Sequence, residues 1–152
     1  MEEQSFLSLL LESSDFAKIL LAGFLGALIG LEREFARKDP SLKTFTILCI
    51  GSCLYGIIAI KFSANQPAEV ARTIGQVAAG VGFLGAGAIF KSESKVLGLT
   101  SGALIWLCAG VGLAVGVGLT QLAVEVTLLA IVLIYFLRLL HWFLRFGLSR
   151  YS

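Results

Sequence analysis

LTQLAVEVTLLAIVLIYFLRLL, residues 119–140, contains no glycine or proline and only two charges, Glu125 and Arg138. At about 1.5 Å per residue such a helix rises about 33 Å, enough to cross a hydrocarbon core about 30 Å thick. Four further apolar stretches precede it. Phe16–Leu31 opens after Ser14 and Asp15, both good N-cap types, and ends at the charged run Glu32-Arg33-Glu34. Thr44–Phe62 is entered from Arg37-Lys38-Asp39-Pro40, where proline disfavours helix in the residue before it. Val70–Phe90 comes next, and then a stretch from Leu97 or Gly98 to Val115, divided from the last by a Gly116-Val117-Gly118 turn. Merging the last two would need a helix far beyond the usual length of roughly 17–25 residues. The expected fold is an all-α polytopic transmembrane bundle of about five helices. It comprises an N-terminal segment (1–15), a transmembrane domain (16–140) and an interfacial amphipathic tail (141–152).

Composition agrees. Hydrophobic residues make up 57% of the chain, charged residues 14%, and the mean hydropathy is +0.91, whereas soluble domains carry about 25% charged residues. A net charge of +2 with scattered basic residues excludes nucleic acid as a partner and leaves membrane lipids as the main solvent. The basic residues set topology instead. With the N-terminus outside, Arg33, Arg37, Lys38, Lys43, Lys91, Lys95, Arg138, Arg145 and Arg150 fall inside, against Lys18, Lys61 and Arg72 outside. The positive-inside rule therefore predicts N-out, C-in. Glu2 and Glu3 stand where a cleaved signal peptide needs positive charge, so the N-terminus is expected to remain in the mature chain. Cys49, Cys53 and Cys108 all lie in apolar stretches, where free cysteine behaves as a small hydrophobe.

The glycines divide the spans. Sixteen of the 17 precede Leu119. Small residues recur at Gly23, Gly26, Ala27 and Gly30, at Gly75, Ala79, Gly82 and Ala86, and at Gly112 and Gly116, which predicts close backbone packing of spans one, three and four. The glycine-free fifth span is expected to cover the bundle or face lipid. Gly80-Val81-Gly82-Phe83-Leu84-Gly85 matches the dinucleotide pattern GxGxxG, but it sits in an apolar span with neither the strand nor the helix context that pattern needs. Gly80, Gly82, Gly85 and Gly87 serve either close packing or a loosened, broken helix that exposes carbonyls to a cavity.

Charges inside a span cost about 3 kcal/mol each at mid-membrane, so each needs a reason. Arg72 and Gln76 lie one turn apart near the outer end of span three, and Glu125 lies about two turns into span five. Their arrangement offers an Arg72–Glu125 ion pair or, alternatively, snorkelling to the interface. A helix C-terminus disfavours Glu32, which predicts a partner for it among Arg33, Lys43 and Lys91. Glu32 and Glu34 point to different sides of a helix and make a poor cation site. In the tail Arg138, His141 and Arg145 recur at i, i+3, i+7, opposite Leu139, Trp142, Phe143 and Phe146; this reads as a docking helix or simply as the stop of the last span. No nucleophile or acid–base constellation is present in the sequence, so no enzyme, metal or cofactor is expected.

Several segments in order resemble the MgtC/SapB family of bacterial inner-membrane proteins. They are GALIGLER (Gly26–Arg33), Leu42-Lys43-Thr44, Arg72 to Gln76, GVGFLGAGAIF (Gly80–Phe90), GLTSGALIW (Gly98–Trp106) and Ala109-Gly110-Val111-Gly112. The likeness runs from about Ala17 to Leu140. It implies a multi-pass protein of the bacterial inner (plasma) membrane, linked to growth at low magnesium and to virulence. It also implies a regulator of other inner-membrane proteins, the rotary ATP synthase among them, rather than a magnesium carrier. The residues it singles out are Glu32, Arg33, Thr44, Arg72, Gln76, Gly82, Gly85, Gly87, Thr100 and Trp106. Lys43 stands where the family pattern has arginine, which keeps charge and loses bidentate geometry; Glu69 follows Pro67 at the approach to span three. The chain stops at Ser152, short of the C-terminal cytoplasmic domain of longer members. Two other functions stay open: a transporter or channel for a cation or small solute lined by Glu32, Arg72, Gln76 and Thr100, and a homo-oligomeric scaffold.

Overall fold

The computed structural model describes residues 13–63, 66–92 and 95–148. Its helices are α1 (Ser13–Phe35), α2 (Leu42–Phe62), α3 (Pro67–Gly87), α4 (Leu99–Gly116) and α5 (Thr120–Leu148). A small antiparallel hairpin, β1 (Phe90–Ser92) and β2 (Lys95–Leu97), joins α3 to α4 with Lys91 opposite Val96. Four helices, α1, α2, α4 and α5, are long and apolar enough to cross a membrane. α3 is as long as α2 but more polar, with Glu69, Arg72 and Gln76 in its first half. It nevertheless runs the height of the bundle, since Pro67 shares a cavity wall with Ile60 at one end and Gly85 faces Gly102 at the other. The chain thus passes up and down the bundle five times. Arg33, Arg37, Lys38, Lys43, Lys91, Lys95 and Arg138 gather at one end, called the basic end below, and Lys18 and Lys61 mark the opposite end.

α2 occupies the centre, with Phe45, Cys49 and Cys53 completely buried. Glycine stripes flank it on two sides. A methyl at Gly26 would stand 2.6 Å from Cys49 Cβ and 2.7 Å from the Phe45 carbonyl oxygen, and one at Gly30 would stand 2.7 Å from Leu42 Cα. On α4, a methyl at Gly112 or Gly116 would overlap the carbonyl oxygens of Cys49 or Cys53. Cys108 Sγ donates to the Phe45 carbonyl at 3.3 Å, so the thiols act as small core groups. Backbones approach this closely because lipid supplies no hydrophobic drive between helices, and packing must come from contact itself.

This corrects the expected arrangement. The tightly packed set is α1, α2 and α4, not spans one, three and four. Gly75, Gly80, Gly82 and Gly87 of α3 have open space where a side chain would begin, and Gly85 alone among the α3 glycines meets another helix, at Gly102. The physical reason is complementarity: a glycine groove needs a helix with side chains to fill it, and α2 supplies Phe45 and Cys49 to both of its neighbours. α3 is also unbroken through its glycines, ending at Gly87 rather than Phe90.

Helix ends follow from local geometry. After α1, Arg37 takes the left-handed conformation (φ 52°), Lys38 N–H bonds to the Arg33 carbonyl at 3.1 Å, and Arg37 N–H bonds to Glu34 at 3.0 Å, a Schellman motif with arginine where glycine is usual. Gly118 (φ 94°) ends α4 in the same way, with Leu119 N–H on the Ala114 carbonyl, in the turn expected there. α5 continues unbroken through Leu148, so residues 141–148 are helical and continuous with the last span. Segment 1–12 and residues 149–152 lie outside the described residues. Ala123 and Thr127 are the buried positions on the described part of α5, whose other faces are largely exposed, as befits a helix that covers the bundle against lipid.

Candidate functional site

Four segments meet around two buried charges at the basic end. Glu32 and Arg33, in the last turn of α1, are each 3% exposed. Arg33 Nη2 donates to Ser101 Oγ at 3.0 Å, and Ser101 Oγ donates to the Asp39 carbonyl at 2.9 Å. Arg33 Nη1 lies 3.7 Å from Glu32 Oε2, while Arg138 Nη2, reaching in from α5, donates to Glu32 Oε1 at 2.5 Å. The chain Asp39–Ser101–Arg33–Glu32–Arg138 therefore ties the α1–α2 loop, α4, α1 and α5 together. Burying these charges is costly unless they are paired and hydrogen-bonded. The pairing is incomplete, since Glu32 Oε2 and Arg33 Nε lack a hydrogen-bond partner among the described residues. One carboxylate between two guanidiniums is a fastening, with no proton acceptor poised against a nucleophile.

Two of the expected partners of Glu32 are not there. Lys43 is exposed in the first turn of α2 and Lys91 is exposed in β1; Arg33 and Arg138 are the cations on the carboxylate. Arg138 looked like one member of the basic stripe of the tail. The signal that identifies it is depth: it falls at the same membrane level as Glu32, and finding the pair requires knowing that α5 lies beside α1.

The Arg72–Glu125 pair is also absent. Arg72 pairs with Glu69 one turn earlier on the exposed side of α3, and Glu125 accepts from Gln121 Nε2 at 2.8 Å on the exposed side of α5. Each charge has a local partner at i, i+3 or i, i+4, which needs no tertiary contact. Gln76 is exposed in the first half of α3, away from the basic end, and Thr100 is exposed next to Ser101 but takes no part in the hydrogen bonds just described. Trp106 is 59% exposed beside a cavity of about 260 Å³ that Ile74 and Ala78 also line. Thr44 is exposed on the edge of a larger groove between α2 and α3. At the opposite end Asp15, read above as a capping residue, is buried and paired with Lys61 at 2.5 Å and Lys18 at 3.6 Å, fastening α1 to α2.

Comparison with known proteins accords with these features. The MgtC family matches residues 19–143. An uncharacterized protein of Haemophilus influenzae is 40% identical over 87% of this chain and 60% of its own length. Protein SapB of Bacillus subtilis is 36% identical over 79% of this chain and 55% of its own length. Protein MgtC of Salmonella typhimurium is 33% identical over 73% and 47%. The chain spans about half the length of these curated relatives. No solved structure matches. The chain belongs to the MgtC family.

Proposed function

We propose that this member of the MgtC family works by contact, as a regulator of other proteins of the bacterial inner membrane, with the low-magnesium response as its setting and the rotary ATP synthase as a candidate partner. The observation that carries this reading is the scatter of the residues a conduction path would need. Glu32 is closed into the basic-end cluster, Arg72 is spent on Glu69 at the surface, and Gln76 and Thr100 are exposed on separate helices. The open side of α3 fits contact better. Gly75, Ala79, Gly82 and Ala86 are exposed along it, the composition that lets a second transmembrane helix approach closely. The fastened ends of α1, α2, α4 and α5 would hold that face on a fixed frame. Purified protein in liposomes is expected to pass monovalent and divalent cations no faster than protein-free liposomes. Gradient-driven flux that disappears in Glu32→Ala would overturn the reading.

A further inference from the structure

Between α2 and α3 lies a groove of about 860 Å³ that opens at the basic end. Its α2 wall runs from Thr44 to Tyr55, a rise of about 16 Å at about 1.5 Å per residue. That is half of a hydrocarbon core about 30 Å thick, the depth of one leaflet. Val77 and Leu84 of α3 form the facing wall and Ile105 of α4 the floor, while Gly51 of α2 leaves open space where a side chain would begin. Asp39 and Thr44 bring polar atoms to the mouth.

We propose that this groove holds an acyl chain of an anionic phospholipid from the leaflet at the basic end, with its phosphate at Lys43 and Lys91. Charge complementarity selects this occupant. Arg37, Lys38, Lys43 and Lys91 stand in the segments bordering the mouth, against Glu34 and Asp39, and the Glu34 carboxylate already accepts from Leu42 N–H at 3.4 Å. Neither this groove nor the separate cavity of about 490 Å³ between the same two helices, lined by Ile60, Ser63 and Val70 near the opposite end, has a lysine or arginine in its wall. The basic residues next to that cavity are already paired, Lys61 with Asp15 and Arg72 with Glu69, whereas Lys43 and Lys91, next in sequence to Thr44 and Phe90 of the groove, are exposed. A partner helix would need the full height of the bundle; an acyl chain needs only the half that carries the charge. The lipid site is distinct from the open glycine face of α3, and it stands or falls independently of the partner-contact reading.

The test is native mass spectrometry of the full chain in mild detergent with added phosphatidylglycerol or phosphatidylcholine. Wild type is expected to retain phosphatidylglycerol about thirtyfold better, from two lysines near the headgroup at about 1 kcal/mol each. Lys43→Ala combined with Lys91→Ala is expected to equalise the two lipids, and Gly51→Phe, which fills the groove, to release both. Equal retention of the two lipids by wild type would overturn the proposal, as would an unchanged preference in the lysine double variant. Undiminished retention by folded Gly51→Phe would also overturn it, and so would a shift of that variant from dimer to monomer, which would make a second copy the occupant. If Gly51→Phe loses its helical circular dichroism, the wild-type ratio and the lysine variant decide.

Discussion

Replacing Arg138 by methionine keeps most of the apolar stem and removes the cation from Glu32 Oε1. Breaking a fully buried ion pair from one side costs about 3–5 kcal/mol. Two features lower that figure here. The Arg138 side chain is 49% exposed, and Glu32 keeps Arg33 at 3.7 Å. The expected loss for Arg138→Met is therefore about 2 kcal/mol, in the range of a hydrogen bond to a charged group. Glu32→Gln should cost a similar amount, because a neutral amide leaves two guanidiniums facing each other. In the double variant the Arg138 substitution loses nothing further at Glu32, so the coupling energy should be about 2 kcal/mol. The assay is reversible unfolding in mixed micelles titrated with sodium dodecyl sulfate, followed by tryptophan fluorescence. Single losses below about 0.5 kcal/mol, the range of ordinary surface substitutions, would refute the reasoning. So would strict additivity in the double variant.

The two glycine faces predict opposite outcomes. Gly112→Ala drives a methyl into the Cys49 carbonyl and should destabilise the bundle by about 1–3 kcal/mol in the same titration. Gly82→Ala meets open space and should be neutral or stabilising by up to about 1 kcal/mol, from helix propensity alone. Topology is tested separately: a periplasmic reporter fused after Ser152 should stay inactive if the basic end faces the cytoplasm, as the positive-inside rule predicts.

Much of the fold was legible because length and hydropathy act locally. Residues 119–140 announce a crossing without reference to any other segment, and Gly118 announces the end of α4. The packing set was only half legible. Gly26, Gly30 and Gly112 marked surfaces ready for close approach, but so did Gly75, Gly80 and Gly82, and nothing in a small-residue pattern says whether a filling partner exists inside the chain. That partner was α2, whose Phe45, Cys49 and Cys53 recur every four residues but do not stand out, because the other faces of α2 are apolar as well. Polar residues followed the same division. Glu32 was recognisable as needing a partner because an acid at a helix C-terminus inside an apolar protein is unfavourable. Arg138 could not be assigned to it from sequence, because they are 106 residues apart. The local pairs Arg72–Glu69 and Gln121–Glu125 lie within one turn, so their spacing alone carries them without any tertiary partner.

The central claim, that the open side of α3 is a contact surface for another membrane protein, is tested most directly by photocrosslinking in native membranes. With a photoreactive side chain at position 82, and the same probe at position 133 on α5 as a control, the account predicts a discrete adduct with a second membrane protein at 82 alone, lost when Ala79→Trp blocks the face. Identical lipid or self adducts at both positions would contradict it.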